Sequence, residues 1–206
     1  MGFIKKFLNQ TRKPEGFLGK IMVNNMNSGH AALSDWGMSH LENITPEEIL
    51  DIGCGGGRNA YELLEKYYLS NVTAIDYSDV SVEKATAFNE EMIKKGRCKV
   101  QKGDVSKLGF NEKYDLATAF ETIYFWPGLE KCFSEVNRAL KPGGTLLIVN
   151  EANGTDKASR QFEKIIDGMK CHTAEEIEQA LINAGFSAVS KYYHDSKPWI
   201  TVVARK

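Results

Sequence analysis

Cysteine is scarce and scattered. The 206 residues hold four, Cys54, Cys98, Cys132 and Cys171, each more than thirty positions from the next. No C-x-x-C pair and no H-x-x-x-H run is present, so neither a disulfide framework nor a metal site is expected, and the thiols read as reduced and cytosolic. Long apolar runs are missing too. Leu146-Leu147-Ile148-Val149 is typical of the longest, far short of the roughly 18–20 residues of a membrane span. The N-terminus is charged too early to hold a secretory h-region. Its Gly2 is not followed by the Ser or Thr that myristoylation wants, because Lys6 stands there. There is no charge excess of either sign: 26 basic against 27 acidic side chains leave a net charge of −1. A protein whose main partner is a phosphate backbone usually carries a marked basic excess, so no nucleic acid is expected as partner. These absences predict a cytoplasmic protein, monomer or homodimer, with neither membrane nor nucleic acid as partner.

What is present is ordinary for a globular chain, with 42% hydrophobic and 26% charged residues. The length suits one domain with additions. From residue 49 on, short β-rich runs alternate with helical patterns, which predicts βαβ units and a mainly parallel sheet. Strands are expected at 49–52, 72–75, 98–101, 114–120 and 145–150. Helical periodicity covers 59–68, then 79–95 with Asp79 or Ser81 as cap and Gly96 as stop, then 129–140 up to Lys141-Pro142-Gly143-Gly144. Residues 153–171 also read as helical. Thr173-Ala174-Glu175-Glu176 is a capping box opening a helix that closes at Gly185. Two final β-rich runs, 186–193 and 199–204, flank a turn at Asp195-Ser196-Lys197-Pro198 and must pair antiparallel. The first 48 residues lack strand signals; Leu18, Ile21, Met22, Met26, Leu33, Trp36 and Leu41 mark a helical cap over a domain at 49–206.

The chemistry is best marked at Asp51-Ile52-Gly53-Cys54-Gly55-Gly56-Gly57-Arg58-Asn59-Ala60. Glycines between a strand and a helix permit a tight turn and close backbone approach to a ligand. Starting at Gly55, the run also satisfies the G-x-G-x-x-A form of a dinucleotide fingerprint, so an NAD-dependent oxidoreductase is one reading. Asp76, 19 residues after Gly57, stands where a carboxylate can accept from both ribose hydroxyls, and both nucleotide readings want it. Asp104 after the third strand is an acid at the same edge.

At these residues the sequence resembles the class I S-adenosylmethionine-dependent methyltransferases of the small-molecule type. The family's D-x-G-x-G-x-G loop is matched by Asp51, Gly53, Gly55 and Gly57. Its ribose acid is matched by Asp76 in Ala74-Ile75-Asp76-Tyr77-Ser78, and its adenine-side acid by Asp104 in Gly103-Asp104-Val105. The segment at 114–121 and the Pro142-Gly143-Gly144 turn match as well. The resemblance implies an α/β fold with a Rossmann-like seven-stranded sheet, mainly parallel, closed by an antiparallel hairpin and flanked by helices on both faces. It implies S-adenosylmethionine as cofactor, S-adenosylhomocysteine as product and a small-molecule acceptor. The implied cofactor contacts are Asp51, Gly53, Gly55, Gly57, Asp76, Tyr77, Asp104, Val105 and Glu121. A module that binds this cofactor without catalysis is a third reading.

Methyl transfer from a sulfonium is an in-line displacement, so alignment supplies much of the rate, roughly 7–11 kcal/mol. Acceptor-side groups belong on loops at the carboxyl ends of the strands. Glu121 meets that test and is a candidate to orient a polar acceptor or a backbone amide; Asn150-Glu151 after the fifth strand meets it too, with a structural role as the alternative. Tyr124 and Trp126 are candidates for an aromatic wall, as is Trp36 in the cap; capping the next helix is their structural alternative. Because histidine as a residue type titrates near neutrality, His30 in the cap is a candidate base, as is His40. His172 and His194 have no partner visible in the sequence.

Overall fold

A computed structural model describes Pro14 and residues 29–206. Leu18, Ile21, Met22, Met26 and the rest of the expected cap before residue 29 lie outside the described residues. The cap is represented by α1 (Ala31–Met38). The sheet strands are β1 (Glu48–Ile52), β2 (Asn71–Asp76), β3 (Cys98–Lys102), β4 (Tyr114–Phe120), β5 (Leu140–Asn150), β6 (Ala188–Tyr193) and β7 (Ile200–Arg205). Between them run α2 (Arg58–Lys66), α3 (Asp79–Phe88), α4 (Glu90–Lys94), α5 (Leu129–Ala139), α6 (Lys157–Ile165) and α7 (Ala174–Asn183).

The seven strands lie in the order β3-β2-β1-β4-β5-β7-β6. The β3-β2-β1-β4-β5 pairings are parallel, whereas β7 pairs antiparallel with both β5 and β6. The expected sheet and terminal hairpin are therefore present. Strands covered on both faces read as continuous apolar runs, and successive side chains point opposite ways. Leu50, Ile52, Ala117, Ala119, Leu146 and Ile148 pack with α5 and α7 on one face. Ile49, Val72, Ala74, Leu116, Leu147 and Val149 pack with α1 and α2 on the other.

The local details depart from expectation at four places. Ser78, not Asp79 or Ser81, caps α3; its Oγ accepts from the Ser81 amide at 3.4 Å. The helix expected over 79–95 breaks at Asn89, whose buried side chain donates to the carbonyls of Ala85 at 3.0 Å and Gly57 at 2.9 Å. The fifth strand starts at Leu140 and takes in the Pro142-Gly143-Gly144 turn, with a register irregularity against β4 between Tyr114 and Leu116. The polar stretch after β5 is helical only over α6, where the Asp156 carboxylate caps by accepting from the Ser159 amide at 2.6 Å. The capping box is formed as read, with Thr173 and Glu176 exchanging bonds at 3.1 and 3.2 Å.

From β1 the chain steps outward through β2 to β3, then returns to build β4 and β5 on the other side. The carboxyl ends of β1 and β4 therefore flank a switch point, where open α/β sheets leave a crevice.

Candidate functional site

The crevice is a cleft of about 300 Å³ lined by the ends of β1, β2 and β4 and by the loop after β3, within the size range of small-ligand sites. The loop from Gly53 to Gly57 hangs from β2: the amides of Gly53 and Cys54 donate to the Ile75 carbonyl at 2.8 and 3.0 Å. Gly55 has φ +52°, and a Cβ there would meet no atom within 4 Å, because it would project into open space. Its amide donates to Asp76 Oδ2 at 3.0 Å, while Asp76 Oδ1 accepts from the Ser78 amide at 2.9 Å. The Tyr77 amide and the Ser81 side chain also act on this carboxylate, which nevertheless lines the cleft. Burial raises its pKa above the ordinary carboxylate value, against the pull of these amides.

Asp104 sits across the cleft. Its Oδ1 accepts from the Ser106 amide and hydroxyl at 2.9 and 2.8 Å, capping a single helical turn over Val105–Lys107. Those bonds, chiefly the backbone one, hold its carboxyl below the ordinary value. Tyr77, Val105 and Trp126 line the same cleft. Pro14 also lines it, its carbonyl accepting from the Ser78 hydroxyl at 2.7 Å.

Gly53, Gly55, Phe120 and Glu121 continue into a recess of about 50 Å³. Around it stand His30 and Ser34 of the cap, with Arg58 and Asn59 at the start of α2. Arg58 is held by Asp35 at 2.9 Å and Glu62 at 3.5 Å. Glu121 occupies the left-handed region at φ +59°, a conformation that a bulky side chain holds only when its surroundings impose it. The backbone amide of Glu121 donates to the Val149 carbonyl at 2.9 Å. Its Oε1 accepts from the Tyr124 hydroxyl at 2.9 Å and from the Glu151 amide. Burial raises the Glu121 pKa, with His30 and these two donors opposing.

Three of the sequence candidates lie elsewhere. Gly57 lines neither cavity; at φ +85° it caps α2, and a Cβ there would run into Ala85 and Asn89 of the neighbouring helix pair. Asp51 lies beneath the loop, fully buried, with Oδ1 accepting from the Thr118 hydroxyl at 2.8 Å and Oδ2 without a partner. Burial pushes its carboxyl up to about 7. Trp36 does not reach the cleft. It packs against His40, His194 and Trp199 at centroid distances of 5.0, 5.4 and 6.0 Å, tying α1 to the end of the hairpin. Tyr124 is 3% exposed and works through its hydroxyl rather than as a wall. It borders an adjoining groove between α5 and α7, which Trp126 shares with the cleft.

Glu151 follows the fifth strand, so its position alone makes it, with Asn150, an acceptor-side candidate whose alternative is a structural role. The β4–β5 pairing places it beside Glu121, and His30 Nε2 lies 3.8 Å from its carboxylate. His30, Glu121 and Glu151 each offer a ligand atom within 4.8 Å of the others, a proximity between residues as much as 121 positions apart that no local spacing signals. His172 lies 3.7 Å from Glu176.

Residues 50–148 match the family model described as a methyltransferase domain. Over that stretch the chain is similar to a methyltransferase domain. A sterol 24-C-methyltransferase of Pneumocystis carinii is 28% identical over 167 residues, which cover 74% of this chain and 44% of that protein. The chain thus spans less than half the length of that relative. Among solved structures, a putative O-methyltransferase from Nostoc punctiforme superposes with a TM-score of 0.79 at 17% identity, covering 94% of this chain and 61% of that one. Human N-acetylserotonin methyltransferase in complex with S-adenosylmethionine gives a TM-score of 0.75 at 16% identity, covering 92% and 56%. At such identities the superpositions establish the fold of the domain. The cofactor of this class, S-adenosylmethionine, suits the residues present: Gly55 leaves space where a side chain would project, and Asp76 and Asp104 face that space from two sides.

Proposed function

We propose that the protein is an S-adenosylmethionine-dependent methyltransferase acting on a small-molecule acceptor. The observation that carries this reading is the meeting of Gly55, Asp76 and Asp104 in one cleft at the switch point of the sheet. Asp76 would accept from the ribose hydroxyls, and Asp104 and Val105 would border the adenine. Donors around the small recess, Ser34, Asn59 and the loop amides, suit the amino-acid end of the cofactor. When bound, the cofactor supplies an electrophilic methyl group on a sulfonium. Glu121 and the aromatic rings of Phe125 and Trp126 stand at the acceptor end of the cleft. Residues 1–48 act as a cap on the domain at 49–206, with α1 delivering His30 and Ser34 to the recess. The four cysteines are free and buried, which supports a cytoplasmic setting. The net charge of −1 supports a metabolite rather than a nucleic acid as partner. Monomer or homodimer is the state we assign to it.

Calorimetry with S-adenosylmethionine and S-adenosylhomocysteine tests the reading. Asp76→Ala is expected to weaken binding by about 1.5–3 kcal/mol, the scale of a hydrogen bond to a charged group. Folded protein that ignores both compounds but is protected against melting by NAD(H) would return the domain to nucleotide-dependent redox chemistry. Cofactor binding without transfer of labelled methyl to any metabolite extract would make it a non-catalytic module.

A further inference from the structure

Asp76 and Asp104 are assigned to the cofactor; Glu121 lines both the cleft and the recess, and Glu151 and His30 stand beside it, His30 at the recess. Glu121 is aimed rigidly. Its backbone is pinned to Val149, its carboxylate is held by the Tyr124 hydroxyl and the Glu151 amide, and that hydroxyl accepts in turn from the Ala152 amide at 3.0 Å. Glu151 and His30 are reachable from solvent, with side chains 48% and 30% exposed. The charge lining the cleft is one-sided: Asp76, Asp104 and Glu121 face it, and no Lys, Arg or His is among the described residues that line it. Arg58, at the recess, is already engaged by Asp35 and Glu62. Glu121 and Glu151 bring carboxylate oxygens within 4.8 Å of one another, with the His30 imidazole beside them; like charges so close repel, so the pair favours a cation between them and disfavours an anion. Phe125 and Trp126 add aromatic faces, which attract cations as well.

We propose that the methyl acceptor is an amine, held through its nitrogen by Glu121 and Glu151 and methylated on that nitrogen. This rests on the methyltransferase reading. A protonated amine gives a proton to the Glu121 carboxylate and becomes nucleophilic. The nitrogen lone pair then forms the N–C bond as the C–S bond breaks, and that bonding pair stays on sulfur. The methylated nitrogen leaves as an ammonium, and the proton on Glu121 returns to solvent by way of His30. Burial of Glu121 makes it a better proton acceptor than an exposed carboxylate, in keeping with this role.

The test uses the full chain saturated with S-adenosylhomocysteine, titrated calorimetrically with propylamine, piperidine and phenethylamine and with the shape-matched 3-phenylpropanoate and 4-ethylphenol. Amines are expected to bind and the carboxylate and phenol to be ignored. Glu151→Gln should retain S-adenosylhomocysteine affinity and lose amine affinity about tenfold or more, the scale of a charge-assisted hydrogen bond. Labelled-methyl transfer should follow the same preference, and Glu121→Gln should slow it about 100-fold or more, as removal of a general base does. Phenol or carboxylate binding or methylation in place of amines overturns the proposal. So does tight binding of Mg²⁺, Mn²⁺ or Zn²⁺ that Glu151→Gln abolishes, with no amine bound. Failure to bind S-adenosylhomocysteine is a different result: it refutes the methyltransferase reading itself.

Discussion

Gly57→Ala and Gly55→Ala put a methyl group on neighbouring glycines of one loop, and the structure assigns them opposite consequences. At Gly57 the added Cβ would lie 2.6 Å from Asn89 Nδ2, 2.8 Å from Ala85 Cα and 2.9 Å from Ala85 Cβ. The Ala85 contacts belong to the body of α3, which cannot swing aside as a flexible side chain can. Holding alanine at φ +85° costs about 1–2 kcal/mol, and forcing the helices apart costs about 1–3 kcal/mol more. The Asn89 bond to the Gly57 carbonyl, worth about 1 kcal/mol, is strained in the same movement. The sum is about 3–6 kcal/mol, or roughly 6–24 °C of melting temperature at this chain length. At Gly55 only the backbone cost of about 1–2 kcal/mol applies, since no atom lies within 4 Å. There the methyl group enters the cleft beside Asp76 and should weaken S-adenosylhomocysteine binding about tenfold, or about 1.4 kcal/mol. Scanning calorimetry of both variants, followed by titration of the folded fraction, separates the effects. Melting temperatures within 2 °C of one another, by about the resolution of such a scan, would refute the packing role of Gly57. So would Gly57→Ala weakening the ligand while Gly55→Ala leaves it unchanged.

Two further predictions concern pH. Asp51 is raised by burial to about 7, above its ordinary 3.8, so between those values the folded chain holds a proton that the unfolded chain has lost. Stability therefore falls as pH rises through that window, by about 4 kcal/mol at roughly 1.4 kcal/mol per pH unit. Asp51→Asn, which still accepts from Thr118, should flatten this slope in urea titrations at pH 4 to 8; a slope identical to the parent's would locate the titrating group elsewhere. His40 is shifted the other way: burial lowers its pKa despite Glu42, and its Nε2 is buried without a partner beside the stacked ring of Tyr192, 4.1 Å away. The stability it lends is present above its unfolded value of 6.5 and is lost as pH falls toward the folded one. Tryptophan emission from the Trp36–Trp199 contact should report the cap loosening on acidification, and His40→Gln should abolish that response.

Periodicity and turn chemistry carried most of the fold because they are local. The capping box at Thr173, the alternation of β1 through β5 and the tight turn before Trp199 each depend on residues a few positions apart. What escaped depends on distance. Asn89 breaks a well-patterned helix to bond Gly57, 32 positions away. Trp36 is drawn from the acceptor side by Trp199 and His194, aromatic partners from the other end of the chain. Within the site, the acids at the ends of β2 and β3 are legible because a nucleotide needs them at set points along a βαβ unit. Glu151 is legible only as a residue after a strand, since its place beside Glu121 exists only once β5 has paired with β4.

The order of the last three strands carries a consequence for hydrogen exchange. β6 lies at the edge and has β7 as its sole neighbour, whereas β7 is bonded on both sides. Opening can begin at β6 and leave β5 covered, but release of β7 strips β6 and uncovers β5 in one event. Amide protection should therefore rise stepwise from β6 through β7 to β5, so that the inserted strand sets the energy of the sub-global opening of this end. The Ile148 amide, next to the residue whose carbonyl holds Glu121, would then be as protected as β7 is firmly held, although no residue of β7 touches the cleft.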